Sequence, residues 1–212
     1  MNVYECDQVK QVRKLHQPIL SEYSTFKRVK DLLEAFADNL FQSFNKNDKA
    51  VAIEISNHHP LFIGNDHEEI MKQAFTFKDA QLTIALEYGF DDWEKIEGLI
   101  QEDFEQAIDL LLDGNLNKLK TIESLPLLLK KRSSFGHQAS ILHYTGSNGV
   151  EIWRQKVPEN LPEITTWLIK QGADKKAKAY FYGGAHTTLE LAATSAHPKD
   201  AGISKALEKS LA

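Results

Sequence analysis

The chain has 212 residues, 42% of them apolar and 26% charged, which is enough apolar material for one sizeable core or one continuous array of smaller units. Its 25 Lys+Arg against 30 Asp+Glu leave a formal charge of -5. That balance offers no basic face for the phosphate neutralisation behind nucleic-acid affinity, so no nucleic-acid partner is expected. The single cysteine, Cys6, excludes an intramolecular disulfide and a cysteine-based metal cage, and no apolar run has the length of a membrane span or the character of a signal peptide. A cytoplasmic protein with no membrane attachment and no cofactor is the expectation.

Residues 1–23 are mixed in character and read as an N-terminal arm, with Pro18 ending any short helix through Val9, Val12 and Leu15. From Ser24, the apolar residues Phe26, Val29, Leu32, Leu33, Phe36, Leu40, Phe41 and Phe44 recur at the spacing of one helix stripe and predict an amphipathic helix over 25–44. Asn45, Asn47 and Asp48 form a turn, and a second helix runs from Ala50 to a stop at Pro60. Asp66 with Glu69, Thr76 with Asp79, and Asp91 with Glu94 have capping-box spacing and predict three further helix starts, with Trp93 in the core. A helix pair over 103–113 and 116–123 flanks Asp113-Gly114-Asn115, and a linker runs from Pro126 to Gly136. The pairs Leu40/Asn47, Leu82/Gly89, Ala107/Gly114, Leu142/Gly149 and Leu189/Ala196 share one spacing between an apolar or small residue and a turn residue. The intervals between pairs differ, so the unit is a paired helix with variable connectors.

In the C-terminal half, Ser140-Ile141-Leu142-His143, Asn148-Gly149, and Glu163 to Asp174 ending in Gly172-Ala173-Asp174 are followed by a second start at Thr187-Thr188-Leu189-Glu190-Leu191-Ala192-Ala193. These segments resemble the ankyrin repeat. Over roughly residues 26–202 the chain is similar to a group of bacterial ankyrin-repeat proteins of unassigned function, on His58-His59-Pro60, Asp79 to Phe90, Gly136-His137-Gln138-Ala139, Arg154-Gln155-Lys156 and Tyr182-Gly183-Gly184. The resemblance implies an all-α, ankyrin-like helical solenoid: an arm over 1–23, a divergent helical region over 24–101, and ankyrin-like repeats over 102–212. Ser140, Leu142, His143, Gly149, Gly172, Thr187 and Leu189 would carry the repeat signature. Ser140 and Thr187 can cap helix N-termini, and Gly172 suits a left-handed C-terminal position. His143 would bond neighbouring backbone and tie repeat to repeat. Thr145-Gly146 and the insertion from Ile152 to Pro162 depart from the family pattern.

The eight histidines lack the tight pairing of a metal site, so no metal is expected. No Walker glycine loop, nucleophile elbow or nucleophile–base constellation accompanies them, so no catalytic residue is assigned and the chain is not expected to be an enzyme. Gly183-Gly184 predicts a sharp turn within Ala179–His186, a hairpin-like finger between repeats. A non-catalytic scaffold that binds a protein partner through a concave face and finger loops is therefore expected. Phe135, His137, Tyr144, Trp153, Arg154, Tyr180, Tyr182 and His186 are the candidate contacts, because aromatic residues and arginines on loops anchor interfaces. The competing expectation is a small-ligand pocket or active site lined by His137, His143, Tyr144 and His197.

Overall fold

A computed structural model describes residues 2–101 and 104–212. Asp103, where the helix expected over 103–113 would begin, lies outside the described residues. About 55% of the chain is helical and 7% is in strands, the mostly helical content that the apolar spacing predicts. The chain divides into two compact units, one formed by Asp7–Gln101 with Ser134–Gly136, the other by Met1–Cys6, Glu102–Ser133 and His137–Ala212.

In the first of these units, α1 (Asp7–Leu15) buries Val9, Val12 and Leu15, and Pro18 stands in the first turn of α2 (Gln17–Leu20), where its missing N–H costs nothing. Helix α3 spans Val29–Asn45, starting later than the apolar stripe predicts. The delay has a specific cause: Arg28 bridges Ile100, Val29 N–H donates to the Leu99 carbonyl, and Gln101 N–H donates to that of Lys27, so this backbone is already extended and paired. Helix α4 (Val51–His58) stops before Pro60. The Asp66 carboxylate caps α5 (His67–Ile70) by accepting from the Glu68 and Glu69 N–H groups. Thr76 and Asp79 form a reciprocal capping box at α6 (Phe77–Glu87), as their spacing predicts. After it, Asp92 and not Asp91 caps the next turn, which is only a 3-10 segment, Trp93–Ile96, and leaves Trp93 half-buried. Helix α3 packs on α6, burying Leu32, Leu33, Phe36 and Leu40 with Ile84 and Tyr88, each large side chain contributing roughly 1.5–3 kcal/mol.

In the other unit, β1 (Val3–Tyr4) pairs antiparallel with β2 (Val157–Pro158). The segment expected to be an arm therefore contains a strand and two helices. Helix α7 (Glu105–Leu112) is followed by two single-turn helices, α8 (Leu116–Leu119) and α9 (Leu125–Leu128), so the helix expected to reach residue 123 is shorter and the expected linker is partly helical. The expected helix at Ser140 is a 3-10 segment, Ile141–Gly146, ended by Ser147 in the left-handed region. A second 3-10 turn, Ile152–Arg154, lies between it and α10 (Leu161–Lys170). Strands β3 (Lys178–Phe181) and β4 (Gly184–Thr187) form a hairpin, and α11 (Thr188–Thr194), α12 (Ala196–Asp200) and α13 (Ser204–Leu211) complete the unit. Thr187 and Glu190 form the capping box of α11 that their spacing predicts.

Gly146 is explained by packing. Helix α11 lies on the Ile141–Gly146 segment, and a Cβ at 146 would stand 3.0 Å from Leu191 Cβ and 3.4 Å from the Thr188 carbonyl oxygen. The residue that weakens helix propensity is the one that lets the two segments touch. Leu142 and Ala192 are buried there, whereas Leu189 is half-buried and Ala193 exposed. Helix α13 packs against α10 and α11 through Leu207 and Leu211.

Candidate functional site

The finger expected around Gly183-Gly184 is a tight two-residue hairpin. Phe181 pairs with Gly184, and the connecting Tyr182 and Gly183 both have positive φ, 53° and 75°, as a turn matching the strand twist requires. Side chains alternate across β3: Ala179 and Phe181 are buried, Lys178 and Tyr180 exposed. Phe181 fixes the hairpin to its unit by packing on the His137 ring, centroids 5.2 Å apart, and on Gly149. At Gly149, with φ of 76°, a Cβ would meet the Phe181 ring at 2.7 Å, so both backbone conformation and clearance require glycine. Outside, Tyr180 is 61% and Tyr182 71% exposed. The Tyr182 hydroxyl donates to Asn148 Oδ1 at 2.6 Å, and Asn148 Nδ2 donates to Thr194 Oγ1 at 3.1 Å, so Asn148 ties the turn to α11. These bonds hold large aromatic surface in solvent on a positioned support.

His186 is half-buried, its ring lying over Gly184 on the inner side of β4. Trp153 is half-buried and stacks on the Arg154 guanidinium, 4.3 Å from the ring centroid.

Four other predicted contact residues are corrected by the structure. Phe135 is buried edge-on against Tyr88, centroids 4.7 Å apart. His137, Tyr144 and Arg154 are each fully buried in one polar network. His137 Nδ1 accepts from the Ala139 N–H, which leaves its Nε2–H to donate to Glu151 Oε1 at 3.2 Å. The Tyr144 hydroxyl donates to the same oxygen at 3.4 Å. Arg154 pairs with Glu105, and lies 3.9 Å from Glu151 and 4.0 Å from Asp109. Burial acts to raise the Glu151 carboxyl, but the His137 N–H and the Arg154 charge outweigh it and hold the group below its usual range. Burial, followed by the Glu151 charge, pushes Tyr144 well above its ordinary value. The network holds its own charges in place; its side chains are not offered to a partner.

His143 Nδ1 accepts from the Ser140 N–H at 3.1 Å and contacts Ser140 Oγ at 2.8 Å, so it closes its own turn. Burial, and next the Arg132 charge, lower it to about 4. His197 bonds Gln155 Oε1 at 2.9 Å. A cavity of about 430 Å³ lies among Asp113, Asn115, Lys120, Asn160 and Glu163, and none of His137, His143, Tyr144 and His197 lines it.

Sequence inspection misses a second buried polar cluster, in the unit of residues 7–101. His16 Nε2 lies 2.9 and 2.8 Å from the two Glu54 oxygens, and Asn39 Nδ2 lies 3.0 Å from His16 Nδ1. Since the same amide nitrogen donates to the Leu15 carbonyl, Nδ1 is the acceptor and Nε2 carries the proton. Glu54 also shares a hydrogen bond with Glu87. All three titratable groups are buried, which suits structure and not substrate contact. Among the described residues no group of three His, Cys, Asp or Glu side chains could hold a metal ion, and no helix is long and apolar enough to cross a membrane. Compared with protein-family models, with curated proteins and with solved structures, the chain matches none.

Proposed function

We propose that this chain is a non-catalytic recognition protein, built on ankyrin-like helix pairs, that holds a protein partner through the β3–β4 finger. One observation carries the reading: Tyr180 and Tyr182 stand in solvent on a hairpin whose inner side is locked by Phe181 and whose turn is tied down by Asn148. Tyrosine provides large contact area with few rotamers to freeze, and a support fixed in advance lowers the entropy lost on binding. The Ser140 and Thr187 turns and the Gly172 position support the ankyrin-like part of the proposal.

The test is quantitative capture from a cell lysate by the wild-type chain and by the Tyr180→Ala/Tyr182→Ala variant, both verified as folded by circular dichroism. At least one protein held in stoichiometric amount by the wild type should be lost from the variant. Retention of every captured protein by the variant would overturn the assignment of this surface.

A further inference from the structure

The outward side of the finger is bordered by positive charge. Lys178 and Tyr180 share that side of β3. Arg132 lies along the strand, its Nη1 donating to the Lys178 carbonyl at 3.0 Å and to the Gln138 carbonyl at 3.4 Å. Those bonds orient the guanidinium and leave Nη2 and Nε for an incoming acceptor. Lys130 is exposed two residues earlier. Among the described residues none of Lys130, Arg132 and Lys178 makes an ion pair. Glu190, whose carboxylate is influenced by Lys178, is occupied by the Thr187 N–H at 2.7 Å and the Thr187 hydroxyl at 2.9 Å. In a chain of formal charge -5, Arg132 and Lys178 set positive charge beside the exposed Tyr180, with the Glu190 carboxylate near Lys178.

We propose that this face binds an acidic, extended peptide segment of a partner protein. Its carboxylates would pair with Lys130, Arg132 and Lys178, and an apolar or aromatic side chain would lie on Tyr180 and Tyr182. The proposal rests on the recognition role given above and specifies the chemistry of what is recognised. Charge complementarity selects an acidic partner, and the size of the patch selects a peptide over nucleic acid. Polynucleotide affinity grows with the number of phosphates neutralised, and a few cations on a chain of net negative charge neutralise few.

The experiment is fluorescence anisotropy on the full chain. The probes are a fluorescein-labelled peptide rich in Asp and Glu with a central Phe, its Asn/Gln counterpart, and an oligothymidylate. The acidic peptide should bind, and its affinity should fall at least about tenfold in the Lys130→Glu/Lys178→Glu variant and on raising the salt concentration. That variant leaves the Arg132 bonds to backbone in place, and an unchanged thermal midpoint would show it folded. Equal binding of the neutral peptide, no effect of the charge reversal, or tighter binding of oligothymidylate would each overturn the proposal. Lysate capture separates it from the reading beneath it. If the tyrosine variant loses the captured partner while the charge-reversed variant keeps it, the acidic ligand is wrong and the finger stands; if neither loses it, both fall.

Discussion

Replacing Arg154 with Met should expose how much the buried network depends on a single cation. Arg154 is fully buried, paired with Glu105 and 3.9 Å from the equally buried Glu151. At an effective permittivity near 20, two unit charges at that 3.9 Å separation attract by about 4 kcal/mol. Removing one member of a buried pair costs about 3–5 kcal/mol, because the remaining charge is stranded without water or counter-ion. Asp109 adds little, its side chain being 56% exposed and screened. Met retains most of the apolar stem volume, so the loss reflects charge more than packing. Urea denaturation followed by circular dichroism should show a fall of about 3–5 kcal/mol at neutral pH. The pH dependence is the sharper readout. In the wild type the Glu151 carboxyl is held low, so its stabilising contribution is present above the ordinary carboxylate range and lost as pH falls through its folded value. Without Arg154 the Glu151 carboxyl keeps its His137 hydrogen bond but loses a charge that helps hold it low, so its folded value rises and its stabilising contribution at neutral pH shrinks. The deficit of Arg154→Met should therefore shrink on acidification, and adding Glu151→Gln should restore part of it at pH 7. A deficit under about 1 kcal/mol, or one that does not change with pH, would refute the charge-stranding argument.

Gly149→Ala should destabilise the chain by about 1–3 kcal/mol, through positive-φ strain and overlap with Phe181, and thermal unfolding checks it; a neutral result would mean that the ring yields freely. Burial pushes Glu54 up to about 8 and His16 down to about 4, so the Glu54 contribution is full below about pH 4.5 and drains away as pH climbs towards 8, opposed by His16 only below 6.5. Between pH 6.5 and 8 the unfolding free energy should fall as pH rises, and a decline that persists in Glu54→Gln would show that another group is responsible.

What sequence inspection can reach is set by the range of the interactions involved. The Thr76/Asp79 and Thr187/Glu190 boxes are legible because each closes within one turn. The finger is legible because a tight turn asks for glycine, and Gly183 supplies it. The start of α3 is not, since it is decided by Lys27–Val29 pairing with residues 99–101, far along the chain. The same limit misplaces His137, Tyr144 and Arg154. Polar and aromatic residues beside loops suggest a surface, and only the folded chain delivers Glu105 and Glu151 to pay for their burial. His16, in the turn between α1 and α2, and Glu54, in α4, share no common motif. Asn148 reads as turn chemistry alone; its grip on Tyr182 needs the hairpin to be in place.

The pairing of β1 with β2 bears on how the protein comes off the ribosome. Val3 and Tyr4 seat on Pro158 and Val157, Asn2 receives the Glu159 N–H, and the Tyr4 hydroxyl reaches Asp200. Residues 2–4 thus have no place to dock until residues 157–158 have left the exit tunnel, a wait on the order of ten seconds at ordinary elongation rates. Closure of this clasp waits on residues 157–158, and a chain shortened to begin at residue 104 would forfeit it.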